Sequence, residues 1–348
     1  MSNTKPEDQA PTPPPVTNTS TQAMMSFKQG LILLLISSLI MSIQNIITKV
    51  ILSKKVILGV WETGGFISPS FSNSILILVL RMSIVLPIMT FIVAPRIYKN
   101  SFRDLKDLLK PENKNRLIAT LLSGVFLFSS FFTIYLSLGM IPAGVATTIF
   151  FIYPTITIMI MWIFFKETPG LTLVFAMITI YIGGFLTIPP ANFTPRGDSN
   201  FMVGALSGAF SGIMFACYVI MIKQARMHPA PFSILSFAVV FLLGILIIPF
   251  LDYQVAEGNW PSVWIGSVCL AATTLGAYLL NNFGVPIVGP ALAAVIGATG
   301  PAITTIMAFI FINEKLEINQ VIGVFLVTLW VLGISVENLK KQQSAAGK

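Results

Sequence analysis

A few polar side chains stand inside long apolar stretches of this 348-residue chain, and any chemistry it performs has to start from them. Gln44, Asn45, Asn281 and Asn282 carry amides, each with donors and acceptors to satisfy. Tyr135, Tyr153 and Tyr218 add phenols. Thr133, Thr157, Thr299 and Thr304 add hydroxyls, which can also bond their own helix backbone. Such groups are costly to desolvate without a partner, so they point to recognition of a solute by hydrogen bonds. They do not point to catalysis. The single histidine, His228, falls in a polar connector, and no His-Glu-x-x-His helix or Gly-x-Ser-x-Gly elbow occurs. No catalytic residue, metal site or cofactor is expected. A Gly-rich phosphate loop is also missing, so ATP does not drive this chain directly.

The elements that must position these groups are membrane spans. Hydrophobic residues make up 55% of the chain and charged residues only 10%, too little polar surface to cover a soluble core of this size. Runs of about twenty apolar residues recur throughout, the length that crosses a hydrocarbon layer. Ten helices are expected, at about 30–52, 75–95, 117–138, 143–164, 171–188, 202–222, 231–251, 262–283, 289–312 and 319–337. Strands are not expected, because the runs are continuously apolar rather than alternating. Counted over the alternate sides of such a chain, fifteen Lys and Arg fall on one side and four on the other. The basic side is the cytoplasmic one, so both termini face the cytoplasm. The net charge of +8 is therefore a topology signal, and no nucleic acid partner is expected.

The chain repeats itself. "PTITIMIMWIFFKE" (154–167) and "PAITTIMAFIFINE" (301–314) share six of fourteen residues at an offset of 147, including the opening proline and the closing glutamate. "GLILLLISSLIMSIQNIITKV" and "GALSGAFSGIMFACYVIMIKQ" each place a lysine nineteen residues after a glycine, at an offset of 174. Two halves of five helices follow, and because five is odd the second enters the membrane inverted. The expected organisation is a disordered polar tail (1–29), a first repeat (30–188), a connector (189–201), a second repeat (202–337) and a basic tail (338–348).

Pro154 and Pro301 would interrupt the fourth and ninth spans, freeing backbone carbonyls where a cavity or neighbouring protein can receive them. Glu167 and Glu314 close the same spans at opposite faces. Lys49 and Lys223 end the first and sixth spans, also at opposite faces. Two gating pairs suggest themselves, Lys49 with Glu314 and Lys223 with Glu167; lysines that merely reach toward headgroups are the simpler alternative. Arg81, inside the second span, either attracts an anionic cargo or reaches the outer headgroups.

These residues together resemble the EamA-like members of the drug/metabolite transporter superfamily. The likeness rests on the two proline-to-glutamate closures, the lysine ending "NIITKV", Arg81 in "LVLRMSIVLP" and "GMIPAGVATTIFFIYP". It covers roughly 30–337. The second half departs from the pattern, with no arginine in "PFSILSFAVVFLLGILIIPF" and an unusual "LLNNFG". The resemblance implies a central cavity walled by spans 1, 3, 4, 6, 8 and 9, with small metabolites as cargo, often moved outward.

The expected function is secondary transport of a small metabolite (an amino acid, organic acid or similar) by alternating access, with export the expected direction. The bacterial inner membrane fits best. Partners are the solute and the lipid bilayer, and both a monomer and a homodimer are compatible with the sequence. The alternatives are a channel or a non-transporting membrane scaffold.

Overall fold

A computed structural model of the chain describes residues 17–141, 143–166, 168–186, 199–297 and 299–313, with isolated positions at 318, 322 and 326. The described residues are overwhelmingly helical. Eight helices among them are long and apolar enough to cross a membrane, so the chain has an all-α membrane fold. The fifth expected span is the shorter α8 (Leu171–Leu186), and the tenth lies largely outside the described residues.

The long spans are α1 (Thr17–Leu52), α2 (Phe71–Pro87), α5 (Lys114–Met140), α9 (Ser199–Ala225), α10 (Pro229–Ile247) and α11 (Trp260–Val288). Pro87 removes one ladder donor from the second span, which continues as a wider π turn (Ile88–Val93) and then α3 (Ala94–Ile97). A short α4 (Ser101–Leu108) crosses the basic connector.

The fourth and ninth spans are each broken in two. α6 (Ala143–Phe150) gives way to α7 (Tyr153–Phe165), and α12 (Pro290–Gly297) to α13 (Gly300–Ile312). Pro154 and Pro301 stand in the first turns of α7 and α13, where a missing N–H costs nothing. The prolines therefore restart a helix rather than bend one. α7 and α13 are both 13 residues long, and each ends on a left-handed residue, Lys166 (φ 56°) and Asn313 (φ 54°).

Packing repeats with the sequence. α1 runs along α11 as α9 runs along α5, and α2 and α10 each pack on the partner half. The hydrogen bonds agree at single-residue level. Ser37 Oγ donates to Ala277 O at 2.7 Å, and Ser211 Oγ donates to Ser130 O at 2.8 Å. Ser37 and Ser211 are related by the 174-residue offset, and Ser130 and Ala277 by the 147-residue one. Gly30 and Gly204 obey the same rule. A Cβ at Gly30 would stand 2.8 Å from Ile287, and one at Gly204 would stand 2.7 Å from Ile141. In each case only a glycine admits the neighbouring helix so closely.

One expectation fails. The connector after α1 holds an antiparallel hairpin, β1 (Lys54–Ile57) on β2 (Trp61–Gly64), with Lys54 opposite Gly64. Gly64 has φ +101°, and a Cβ there would lie 2.3 Å from Val50 O. The hairpin also caps a span, because Leu58 N donates to Phe311 O, a carbonyl left open at the end of α13.

The repeat makes a controlled prediction. Ser37→Ala and Ser211→Ala remove equivalent interhelical bonds, each worth about 0.6 kcal/mol on the scale of such bonds in membrane proteins. Both should lower the unfolding midpoint in detergent by similar amounts. A large effect from one and none from the other would contradict the equivalence.

Candidate functional site

Broken helices inside an apolar layer must find partners for the groups they expose. The break between α12 and α13 is met by α1. Ser38 Oγ shares a hydrogen bond with Thr299 Oγ1 at 2.9 Å, Thr299 Oγ1 in turn reaches Ile296 O at the end of α12 at 2.9 Å, and Ser42 Oγ stands between Ser38 O of its own helix (3.0 Å) and Gly300 O (3.2 Å). Tyr153, the first residue of α7, reaches across the molecule and donates its hydroxyl to Ala294 O of α12 at 3.1 Å. The two breaks are thereby tied to one another.

Beside this junction is a cavity of about 50 Å3. Its walls come from spans 1, 3, 4, 6, 8 and 9, the six that the resemblance implies. Ser38, Ser42, Gln44, Asn45, Ser130 and Thr147 supply polar groups; Phe131, Phe150, Phe151, Tyr153, Phe215 and Tyr278 supply rings. Those rings pack edge-on and tilted, with Phe131 on Tyr278 at 4.9 Å and Tyr153 on Phe215 at 5.0 Å between centroids. The space is of water size rather than metabolite size. A larger hollow of about 530 Å3, between α1, α11, α13 and the hairpin, is lined almost wholly by apolar side chains and lacks such convergence.

Of the residues singled out by sequence, Gln44, Asn45 and Tyr153 line the cavity. Gln44 also receives a hydrogen bond from Thr274 Oγ1 at 3.1 Å. Tyr218 and Asn282 do not line it. They form a buried network of their own, in which the Tyr218 hydroxyl donates to Asn282 Oδ1 at 2.5 Å and Asn282 Nδ2 donates to Ser233 Oγ at 2.8 Å. Asn281 is buried away from the cavity wall, and its amide nitrogen has no partner among the described residues. Tyr135 is buried against Arg81. Arg81 itself is fully buried, so it does not reach headgroups. Thr133 and Thr157 bond their own helices, and the Thr304 hydroxyl is buried with no partner among the described residues. Sequence reasoning passed over Tyr278 and the serines at 38, 42 and 130. Tyr278 had the same signal as the tyrosines chosen, a phenol deep in a span.

Cations close both ends of the bundle onto helix C-termini, where carbonyls lack partners. Lys49 Nζ donates to Leu138 O (3.1 Å) and Ile141 O (3.4 Å) at the end of α5. At the opposite end Arg116 donates to Ala225 O (3.2 Å), the last residue of α9, and to Arg226 O (2.5 Å) just beyond it. Lys223 lines a hollow there with Tyr98, Asp104 and Arg116. Glu167 and Glu314, the expected partners of Lys223 and Lys49, lie outside the described residues.

His228 sits at the same end. Its ring stacks on Tyr98 at 4.0 Å, and its Nδ1 accepts from Ala230 N at 3.2 Å, capping α10. Burial lowers its pKa below the ordinary 6.5, against the opposing pull of Asp104. A neutral imidazole is therefore favoured by the fold. The stability it contributes is present above pH 6.5 and is lost as the pH falls below it. A cap is worth about 1 kcal/mol. His228→Asn, which caps without titrating, should flatten the fall in melting temperature between pH 7.5 and 5.5. An unchanged pH profile would remove His228 from this role.

The family model described as the EamA-like transporter family matches residues 28–188 and 202–336. A Synechocystis sp. protein named an uncharacterized transporter is 36% identical over 324 residues, covering 92% of this chain and 96% of that protein. A WAT1-related protein of Arabidopsis thaliana is 25% identical over 229 residues, covering 56% of this chain and 64% of its own. One solved crystal structure superposes with a TM-score of 0.58 at 15% identity, spanning 89% of this chain and 95% of that one, a likeness of fold.

Proposed function

The chain belongs to the EamA-like transporter family and is a membrane transporter, and we propose that it is a secondary carrier that exports a small metabolite by alternating access. The observation that carries this reading is the cavity at the junction of two broken helices, walled by both halves, with its polar side chains supplied by the first half and by Tyr278 of the second. Discontinuous helices that meet at the middle of a repeat pair are how secondary carriers build a site that opens to each side in turn. The repeats extend over 30–188 and 202–337 and lie inverted in a bacterial inner membrane, with both termini in the cytoplasm. Gln44, Asn45 and Tyr153 contact the solute.

Closure at each end uses a lysine. Lys49 holds the α5 terminus in the present conformer. In the exchange of states Lys49 pairs with Glu314 and Lys223 with Glu167, each pair shutting one face. A channel would not need the centre closed, and a scaffold would not need polar groups aimed into a cavity.

The test is flux through the purified protein in liposomes, with a panel of amino acids, organic acids, nucleobases and cationic dyes. One class should move. Gln44→Ala should slow it by about tenfold, the effect of about 1.4 kcal/mol lost from a hydrogen-bonded state. Lys49→Glu should stop transport and the double change with Glu314→Lys should restore part of it. If a folded, inserted preparation moves nothing, the scaffold reading replaces this one; if only the charge swap fails, the gating pairs are wrong.

A further inference from the structure

Arg81 has more binding capacity than the protein uses. It lies in α2 with no part of its surface exposed. One face of its guanidinium lies 4.0 Å over the Phe131 ring, with Tyr135 at 5.3 Å, and Nη1 donates to the Tyr135 hydroxyl. Nε and Nη2 are both buried and have no hydrogen-bond partner among the described residues. Those two N–H groups lie on one edge of the guanidinium plane and point the same way, the fork that receives both oxygens of a carboxylate. An arginine held in an apolar span without an anion is strongly disfavoured, and such residues ordinarily mark a solute path.

The architecture does not require the charge. The 147-residue offset carries Tyr135 to Asn282, and that level of the second half is closed by neutral groups. Asn282 is satisfied there by Tyr218 and by Ser233 of α10. In the first half Tyr135 instead meets Arg81 of α2, which keeps two donors unmet among the described residues. The cavity is adjacent: Phe131, the ring under the guanidinium, is also one of its walls. Among the described residues no carboxylate pairs with Arg81.

We propose that Arg81 is the anchor for a small organic carboxylate in the central cavity, its Nε and Nη2 receiving the two oxygens in the conformer in which the cavity extends past Phe131 to that edge, while the five other rings of the wall hold the body of the solute. This rests on the transport reading and names the solute class of the same site. An anion also supplies what the buried cation lacks, so binding should favour the conformer in which the cavity and the guanidinium join.

The purified full chain is titrated with benzoate and, separately, with its neutral isostere benzamide, following the melting temperature. Benzoate should raise it saturably and benzamide should not. Arg81→Lys, which keeps the charge and loses the fork, should weaken benzoate binding by about tenfold or more; Arg81→Gln should abolish it. Should the Arg81 variants fail to fold, an intact-arginine protein carrying Asn45→Cys in a Cys217→Ser, Cys269→Ser background gives a second readout. There benzoate, and not benzamide, should protect the cysteine from a small thiol reagent. Equal responses to benzoate and benzamide, or benzoate binding untouched by Arg81→Gln, overturn the proposal. Flux of a neutral or cationic solute that benzoate does not inhibit would overturn it and leave the transport reading intact. Benzoate binding without flux of any solute would do the reverse.

Discussion

Two helices are broken inside an apolar layer, and the rest of the structure follows from satisfying what those breaks expose. Water is not there to bond the freed carbonyls and N–H groups, so protein must. At the α12–α13 break Thr299, held by Ser38 of α1, does so for Ile296 O, and Tyr153 does so for Ala294 O and ties the second break to the first. These demands bring hydroxyls and backbone dipoles to one place from both halves. A cavity with polar groups set among aromatic walls is the consequence, and those aromatic side chains keep it small in this conformer.

The same economy explains the long contacts. α1 on α11 and α9 on α5 need close approach, and Gly30 and Gly204 permit it at equivalent positions. Ser37 and Ser211 then lock equivalent carbonyls. Within the packed spans the halves diverge at Arg81 and at the amide network of Asn282. Divergence within a repeat is where specificity can be lodged, because the shared framework stands without it. At the ends, cations on helix C-termini close the bundle with contacts that are individually weak.

Much of this is legible in the amino-acid sequence. Apolar runs place the spans, and the proline-to-glutamate echo locates both broken helices. The prolines are legible as interruptions but not as first-turn residues, since that depends on where the preceding helix stops. The hairpin at 54–64 escapes a sequence reading because its strands are four residues each and its pairing is fixed by a glycine pressed against Val50 rather than by an apolar pattern. Asn282 and Tyr218 carry the same sequence signal as true cavity residues, yet they satisfy each other; which way a polar group on a wholly apolar helix faces has no periodic signal to reveal it. Ser38 and Ser42 are invisible for the opposite reason, as serines in spans usually bond their own turn.

The central claim is that both halves wall one site that opens to each side in turn. A single cysteine replacing Asn45, in a background without Cys217 and Cys269, would be reacted with a membrane-impermeant thiol reagent in right-side-out and in inverted vesicles. The account predicts labelling from both sides, with a transported solute slowing each. Labelling from one side only, whatever the solute, would contradict it.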